Sequence, residues 1–352
     1  MRKPVVIFLY TEIATYFTAC CDELQKHAEV HVIRYPVNKE APFKFEGSPH
    51  AVKYYERKDL NLEGLKQLVA NIKPDAIFCS GWIDKDYLKI CSLYKGKIPT
   101  VLCMDTKWKA TMKQRIATLV SPFVLKSNFS HAWVPGEQQK NYAKKLWFKD
   151  NEISMGYYCA DTAFFSKLFN ENKGKKVINF PKRFLYVGRY YDFKGITDLW
   201  TAFIDLHKEV KNDWELWCLG TGDIEPVKHP QIKHFGFVQP AELRKYIAET
   251  GVFILPSRFE PWAVVVHEYA AAGFPMILST EVGAAETFLK DKENGFLFEA
   301  ANISSLKEKL KSIITLSDES LNLMSEKSVK LAGALTTEKW ANTALTIVNN
   351  AY

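Results

Sequence analysis

The feature that most limits the fold is a rhythm that runs through the chain twice. Short apolar runs rich in β-branched residues alternate with amphipathic segments: VVIFLY near Val5, EVHVIRY near Val30, DAIFCS near Ile77, PTVLCM near Val101 and HAWVP near Trp133. Such alternation predicts βαβ units on a parallel sheet. The rhythm halts at the polar stretch ENKGKKVINFPK. It restarts with FLYVG near Leu185, WELWCLG near Leu216, IKHFGF near Phe235, VFILPS near Ile254 and PMILS near Ile277. The sequence therefore predicts an α/β fold of two doubly wound, Rossmann-like parallel-sheet domains, residues 1–172 and 177–335. A closing helix over 336–352 is capped near Thr336 or Thr337, with Trp340 on its apolar face. The cluster at Lys173–Lys176 breaks the hydrophobic period and reads as a solvated linker. A chain of 352 residues is long enough for two separate cores.

No apolar run approaches the roughly 18 to 20 residues that a bilayer span needs. The opening MRKPVVIFLYTEIATYF is basic and then apolar, but Glu12 interrupts it and no small-residue cleavage site follows. It reads as a first strand, and the protein is expected to stay in the cytoplasm. The 7 cysteines are an odd number without a CxxC pair, which points to buried thiols rather than a metal site or disulfide frame. Cys79 and Cys103 end predicted strands, where packing is a better reading than reactivity.

The net charge of +7 is unevenly spread: residues 1–150 hold 24 Lys+Arg against 15 Asp+Glu, and residues 151–352 hold 23 against 25. A basic first half suits an anionic partner, either a membrane surface or a phosphorylated acceptor. It suits nucleic acid less, since no binding motif for it is present. Lys85 to Lys149 alone carry 13 Lys+Arg against 3 Asp+Glu. Within that stretch Trp108, Met112, Ile116 and Leu119 recur at helical spacing among cations. Such a helix either lies on an anionic membrane or packs on the core with its lysines in solvent.

Open α/β sheets bind ligands beyond the carboxyl ends of their strands, so chemistry belongs in strand-to-helix loops. After the Ile254 strand the chain reads PSRFEPWAVVVHEYAAAGFP, where Pro261 favours a turn into a helix that Gly273 and Pro275 end. Glu260 then lies in the loop and Glu268 within the helix, spaced so that both carboxylates can face one side of a site. The amides of Ala263, Val264 and Val265 open that helix and form a seat for pyrophosphate. Upstream, Gly188 and Arg189 follow one strand, Lys194 stands at the next helix start, and Gly220 and Gly222 follow another strand. Arg189 and Lys194 can aim cations at phosphates. Asp84-Lys85-Asp86 spells a D-x-D, but it opens a helix, so capping explains it better than metal binding.

GR followed by KG, then LGTGD, HFGFV, EPWAVVVHE, AAAGFP and VGAAE follow one another between residues 183 and 300. In that order they resemble glycosyltransferase family 4, retaining enzymes of the GT-B fold whose two domains face across a cleft. The resemblance implies that Glu268 holds ribose hydroxyls and Glu260 contacts the donor sugar, orienting it rather than forming a covalent intermediate. It further implies that Arg189 and Lys194 neutralise the diphosphate, that the Gly236, Phe237 and Val238 backbone edges the base, and that Trp262 joins the donor site. The closing helix is expected to pack back on the first domain. SMGYYCADTAFF is similar to the loop that closes the first domain in the family, with Gly156, Asp161 and Phe164 or Phe165 as members. YTEIATYF replaces the usual Gly-rich turn with Tyr10, Thr11 and Glu12. Asp105 stands where relatives place a histidine; it either meets a sugar hydroxyl or acts as base, or caps a helix before Lys107.

The implied function is a retaining, hexosyltransferase-type enzyme using a UDP- or GDP-sugar, with no cofactor and no metal. Its acceptor would be a saccharide or lipid-linked molecule in envelope polysaccharide or glycolipid synthesis, reached at the inner membrane face. Two alternatives share these features: a nucleotide-sugar epimerase of the same fold, and a non-catalytic sugar-nucleotide-binding protein.

Overall fold

The computed structural model describes residues 2–36 and 52–349. The chain divides into two compact units, Met1–Ala160 with Thr337–Tyr352, and Asp161–Thr336.

Among the described residues the first unit is built on seven strands: β1 (Val5–Tyr10), β2 (Glu29–Arg34), β3 (Lys53–Glu56), β4 (Ala76–Ser80), β5 (Thr100–Cys103), β6 (His131–Val134) and β7 (Ile153–Met155). Their order is β3-β2-β1-β4-β5-β6-β7, and every pairing is parallel, with Val6 opposite Val30 on one side and Ala76 on the other. β1 is buried along its whole length, as a strand covered on both faces must be, which is why it reads as an unbroken apolar run. The edge strands β3 and β7 escape sequence reading because they are four and three residues long and lack a continuous apolar run.

The helix Thr337–Asn349 belongs to this unit. Its buried Trp340 stacks on Phe8 at 5.8 Å and lies 4.8 Å from Trp133. The indole Nε1 donates to the Tyr157 carbonyl at 2.6 Å, so the polar edge of this large side chain is satisfied as its apolar body is buried. The D-x-D is a cap: the Asp84 carboxylate accepts from the amides of Asp86 and Tyr87, and Arg57 pairs with both aspartates at 2.9 Å. The reading of Asp105 as a helix cap is corrected, since the next helix starts at Met112 and Thr111 caps it. Asp105 lies in the preceding loop and accepts from the Tyr158 hydroxyl at 3.4 Å. All seven cysteines are buried and unbridged. Burial drives the Cys103 thiol well above its ordinary pKa, away from the reactive thiolate.

The second unit has six parallel strands, β8 (Arg183–Val187), β9 (Glu215–Leu219), β10 (Ile232–His234), β11 (Val252–Leu255), β12 (Met276–Ser279) and β13 (Gly295–Phe298). They run in the order β10-β9-β8-β11-β12-β13. The linker expected at Lys173–Lys176 is corrected, because these residues lie inside the helix Thr162–Ile178, and the division between the units falls between Ala160 and Asp161. Lys176 misleads because its side chain is buried rather than solvated. Its ammonium donates to the Thr250 carbonyl at 2.8 Å and lies 4.1 Å from the Phe274 ring centre. The long methylene stem serves as apolar surface, and desolvation lowers its pKa to about 7.

Candidate functional site

In the second unit the strand order reverses between β8 and β11. A crevice opens at such a switch point, beyond the carboxyl ends of the two strands, because their following helices go to opposite faces of the sheet. Gly188 and Arg189 follow β8, and Ser257 to Glu260 follow β11. The neighbouring strand ends bring Gly220 and Gly222 after β9, and Gly236, Phe237 and Val238 after β10. The candidate residues thus share one edge through sheet topology.

Close packing shapes their loops. A Cβ on Gly220, whose φ is +143°, would lie 1.9 Å from the Gly188 carbonyl oxygen. Gly222 forms a bridge with Tyr190. Gly236 adopts φ +70° and its carbonyl accepts from the Gly220 amide at 2.7 Å. Phe237 is exposed and Val238 half-buried. The loop after β12 clasps the Glu260 segment: the Gly283 amide donates to the Glu260 carbonyl at 3.1 Å, and the Ala284 amide to the Trp262 carbonyl at 2.9 Å. A Cβ at Gly283 would come within 2.0 Å of the Pro261 carbonyl oxygen, so only glycine permits this clasp.

Glu260 and Lys194, 66 residues apart in the chain, form an ion pair. Ser257 donates to the same carboxylate oxygen at 3.4 Å. Three residues on, Ala263 adopts a left-handed conformation, φ +79° and ψ 86°, and opens the helix Val264–Ala271 without any side-chain cap. A β-carbon is unfavourable there, and the first-turn N–H groups and the positive end of the helix dipole are left without a capping side chain. Arg189 follows its strand, with its carbonyl accepting from the Tyr186 hydroxyl at 2.8 Å.

Glu268 lies deeper. Burial, and then the nearby charge of Asp161, raise its pKa from an ordinary 4.5 to about 7. Asp161 itself caps the helix Thr162–Ile178 by accepting from the Phe164 amide at 3.0 Å. This coupling between Asp161 and Glu268 is invisible in the sequence, where 107 positions separate them. Trp262, expected in the donor site, is buried against Phe288, so its backbone rather than its indole faces the clasp loop. His267 is also internal: it stacks on Phe288 at 4.1 Å and hydrogen-bonds the Ala332 carbonyl. Desolvation lowers its pKa to about 4. It anchors the helix in neutral form and does not add a base to the edge. Among the described residues no group of three or more His, Cys, Asp or Glu side chains is arranged to hold a metal.

Residues 181–315 match the family model described as glycosyl transferases group 1. The second unit thus carries a segment similar to the group 1 glycosyl transferases. The chain is 29% identical over 200 residues to an uncharacterized glycosyltransferase of Haemophilus influenzae, covering 52% of the chain and 54% of the relative. It is 28% identical over 183 residues to a 2-deoxystreptamine N-acetyl-D-glucosaminyltransferase of Niallia circulans, covering 48% and 44%. The chain thus spans about half the length of the curated relatives it matches. Among solved structures, Anabaena HepE in complex with UDP and glucose superposes with a TM-score of 0.69 over 98% of this chain and 99% of that one, at 13% identity. The two-unit architecture is the GT-B fold.

Proposed function

We propose that the chain is a retaining glycosyltransferase that takes a sugar from a nucleoside diphosphate donor and passes it to a saccharide or lipid-linked acceptor. The observation that carries this reading is the ion pair between Lys194 and Glu260 at the sheet's switch point, three residues before an uncapped, left-handed helix start. A carboxylate for hydroxyls, a cation for phosphate and free helix amides meet in one loop. In this reading the diphosphate rests on the amides of Val264 and Val265, with Arg189 and Lys194 as counter-charges. Glu260 orients the sugar through its hydroxyls, and Glu268 accepts from the ribose. As the anomeric C–O bond breaks, negative charge grows on the departing diphosphate, and the fixed cations and helix amides stabilise it. The acceptor hydroxyl oxygen then bonds to the anomeric carbon on the face the diphosphate leaves, its proton passing to the departing diphosphate oxygen, which retains configuration. UDP is the first donor base to test, because HepE, of the same fold, binds UDP and glucose. Envelope polysaccharide or glycolipid synthesis, at the inner face of a membrane, is the setting this reading favours.

The test is a thermal-shift screen against UDP, GDP and their common sugars, followed by turnover of Glu260→Gln. A nucleotide that binds the folded chain raises its Tm by mass action. The variant should keep that shift while losing about 10²-fold or more in turnover. Turnover at the unmodified rate would remove Glu260 from the reaction, and no shift with any nucleotide would remove the donor site.

A further inference from the structure

The helix Met112–Val124 of the first unit presents an unusual surface. Ser121 is its one buried residue, while Phe123 is 82% exposed, Leu119 75% and Met112 71%, with Ile116 and Val120 also exposed. At 3.6 residues per turn, these five side chains fall within an arc of about 100°. Arg115 lies just outside one border of the arc and Lys113 just outside the other. Five large apolar side chains on one helix face form a contiguous patch of the kind that marks an interaction surface rather than scattered surface hydrophobics.

The helix is pinned with this face outward. Ser121 Oγ donates to the Leu146 carbonyl at 2.7 Å. Pro122 has no N–H to offer the Thr118 carbonyl one turn back, and that carbonyl instead accepts from Trp147 Nε1 at 2.9 Å. The proline therefore fixes the place of an indole that is itself largely exposed, on a residue held at φ +70°. Beside the helix lies an open cleft of about 490 Å³ lined by Trp108, Arg115, Leu119, Lys144, Lys145 and Trp147. Lys145 Nζ sits 5.1 Å from the Trp108 ring centre.

We propose that this face docks on a bilayer containing anionic phospholipid: the apolar arc enters the headgroup boundary and the cleft receives a lipid phosphate. Charge complementarity selects this partner. Residues 105–149 carry 9 Lys+Arg against 2 Asp+Glu, so the apolar arc is set in a cationic field that a neutral apolar protein surface would not match. Two tryptophans beside lysines and an arginine are the side chains that settle at headgroup level. An apolar stripe bordered by cations is the pattern of a helix lying in the interface plane. No helix among the described residues is long and apolar enough to cross a membrane, so the mode is docking from one side. The inference rests on the first unit and does not depend on the donor reading.

The experiment is co-sedimentation of the full chain with vesicles of phosphatidylcholine alone and of phosphatidylcholine mixed with phosphatidylglycerol. Binding to the anionic vesicles should exceed binding to the neutral ones by about tenfold or more. Leu119→Glu with Phe123→Glu should lower anionic-vesicle binding by about tenfold or more. Arg115→Ala with Lys145→Ala should also lower it about tenfold, with unchanged circular dichroism and Tm. Equal binding to both vesicle types, or undiminished binding by the double glutamate variant, overturns the proposal. So does a vesicle-free dimer that the same variant dissolves, since the face would then be a self-interface. The UDP thermal shift of the same preparations reads the donor site separately: its absence would sink that reading and leave this one standing.

Discussion

The two sheets share a strand order around a reversal, β1 beside β4 in one and β8 beside β11 in the other, yet the residues beyond these reversals are settled differently. In the first unit Tyr10 and Tyr157 hydroxyls meet at 2.5 Å in a buried contact, Thr11 and Ser80 hydroxyls meet at 3.1 Å, and the Trp340 indole is bonded. In the second unit Ala263 occupies a left-handed backbone region costly for a residue with a β-carbon, and burial together with the charge of Asp161 raises the pKa of Glu268. Local consistency favours folding, and natural chains depart from it where a ligand is to supply what is missing. The contrast sets a satisfied aromatic cluster in the first unit against a strained loop and a raised carboxyl in the second.

That contrast can be broken by stability measurements. The largest effect is expected for Trp340→Ala, which empties a site packed by Phe8 and Trp133 and strips the Tyr157 carbonyl of its donor. It should cost about 3–5 kcal/mol in denaturant unfolding; a loss under about 1 kcal/mol would mean the first unit is no more tightly determined than the second.

Glu268→Gln should act in the opposite direction. A carboxyl whose folded pKa stands near 7 against an ordinary 4.5 binds its proton more tightly when folded. The native state is therefore unpenalised below about pH 4.5, loses stability as pH rises toward 7, and changes no further above that. The amide variant escapes this loss. It should gain on the order of 1–3 kcal/mol over the native chain at pH 8 and almost nothing at pH 4. Its UDP-induced Tm shift should shrink, since a neutral amide is a weaker acceptor for ribose hydroxyls. A variant less stable than the native chain at pH 8 would show that Glu268 is a structural partner rather than a poised ligand.

The smallest effect is expected at Ala263. Replacement by glycine removes the β-carbon from a left-handed position and should raise stability by about 1 kcal/mol, measured as the shift in denaturation midpoint. A drop would indicate that the methyl packs in a way that outweighs its backbone strain.

Much of the second unit was legible in order along the chain. Apolar runs announced five of its six strands, and Pro261, Gly273 and Pro275 bracketed the helix that carries Glu268. The runs succeed because a strand buried on both faces has to be apolar without interruption. The short edge strands β3 and β7 went unread because edge positions relax that demand, and β13 because its apolar run is only four residues long. The Lys173–Lys176 segment failed for a related reason: composition registers a lysine's charge and not the burial of its stem. The burial of Trp262 against Phe288 was likewise not readable from its place in the loop.

By itself the sequence determined the two α/β sheets, the capping role of Asp84, the helix that bears Trp340, and the loops in which ligand chemistry would lie. These are local consequences of hydrophobic period, turn residues and caps, all expressed within a few residues of their cause. Only the tertiary structure decided that Lys194 meets Glu260, that Asp161 raises Glu268, that Gly283 clasps Pro261, and that Pro122 frees a carbonyl for Trp147. Each of these joins positions brought together by strand order or by close packing. Such pairings depend on distance in space, which no periodicity in the chain encodes.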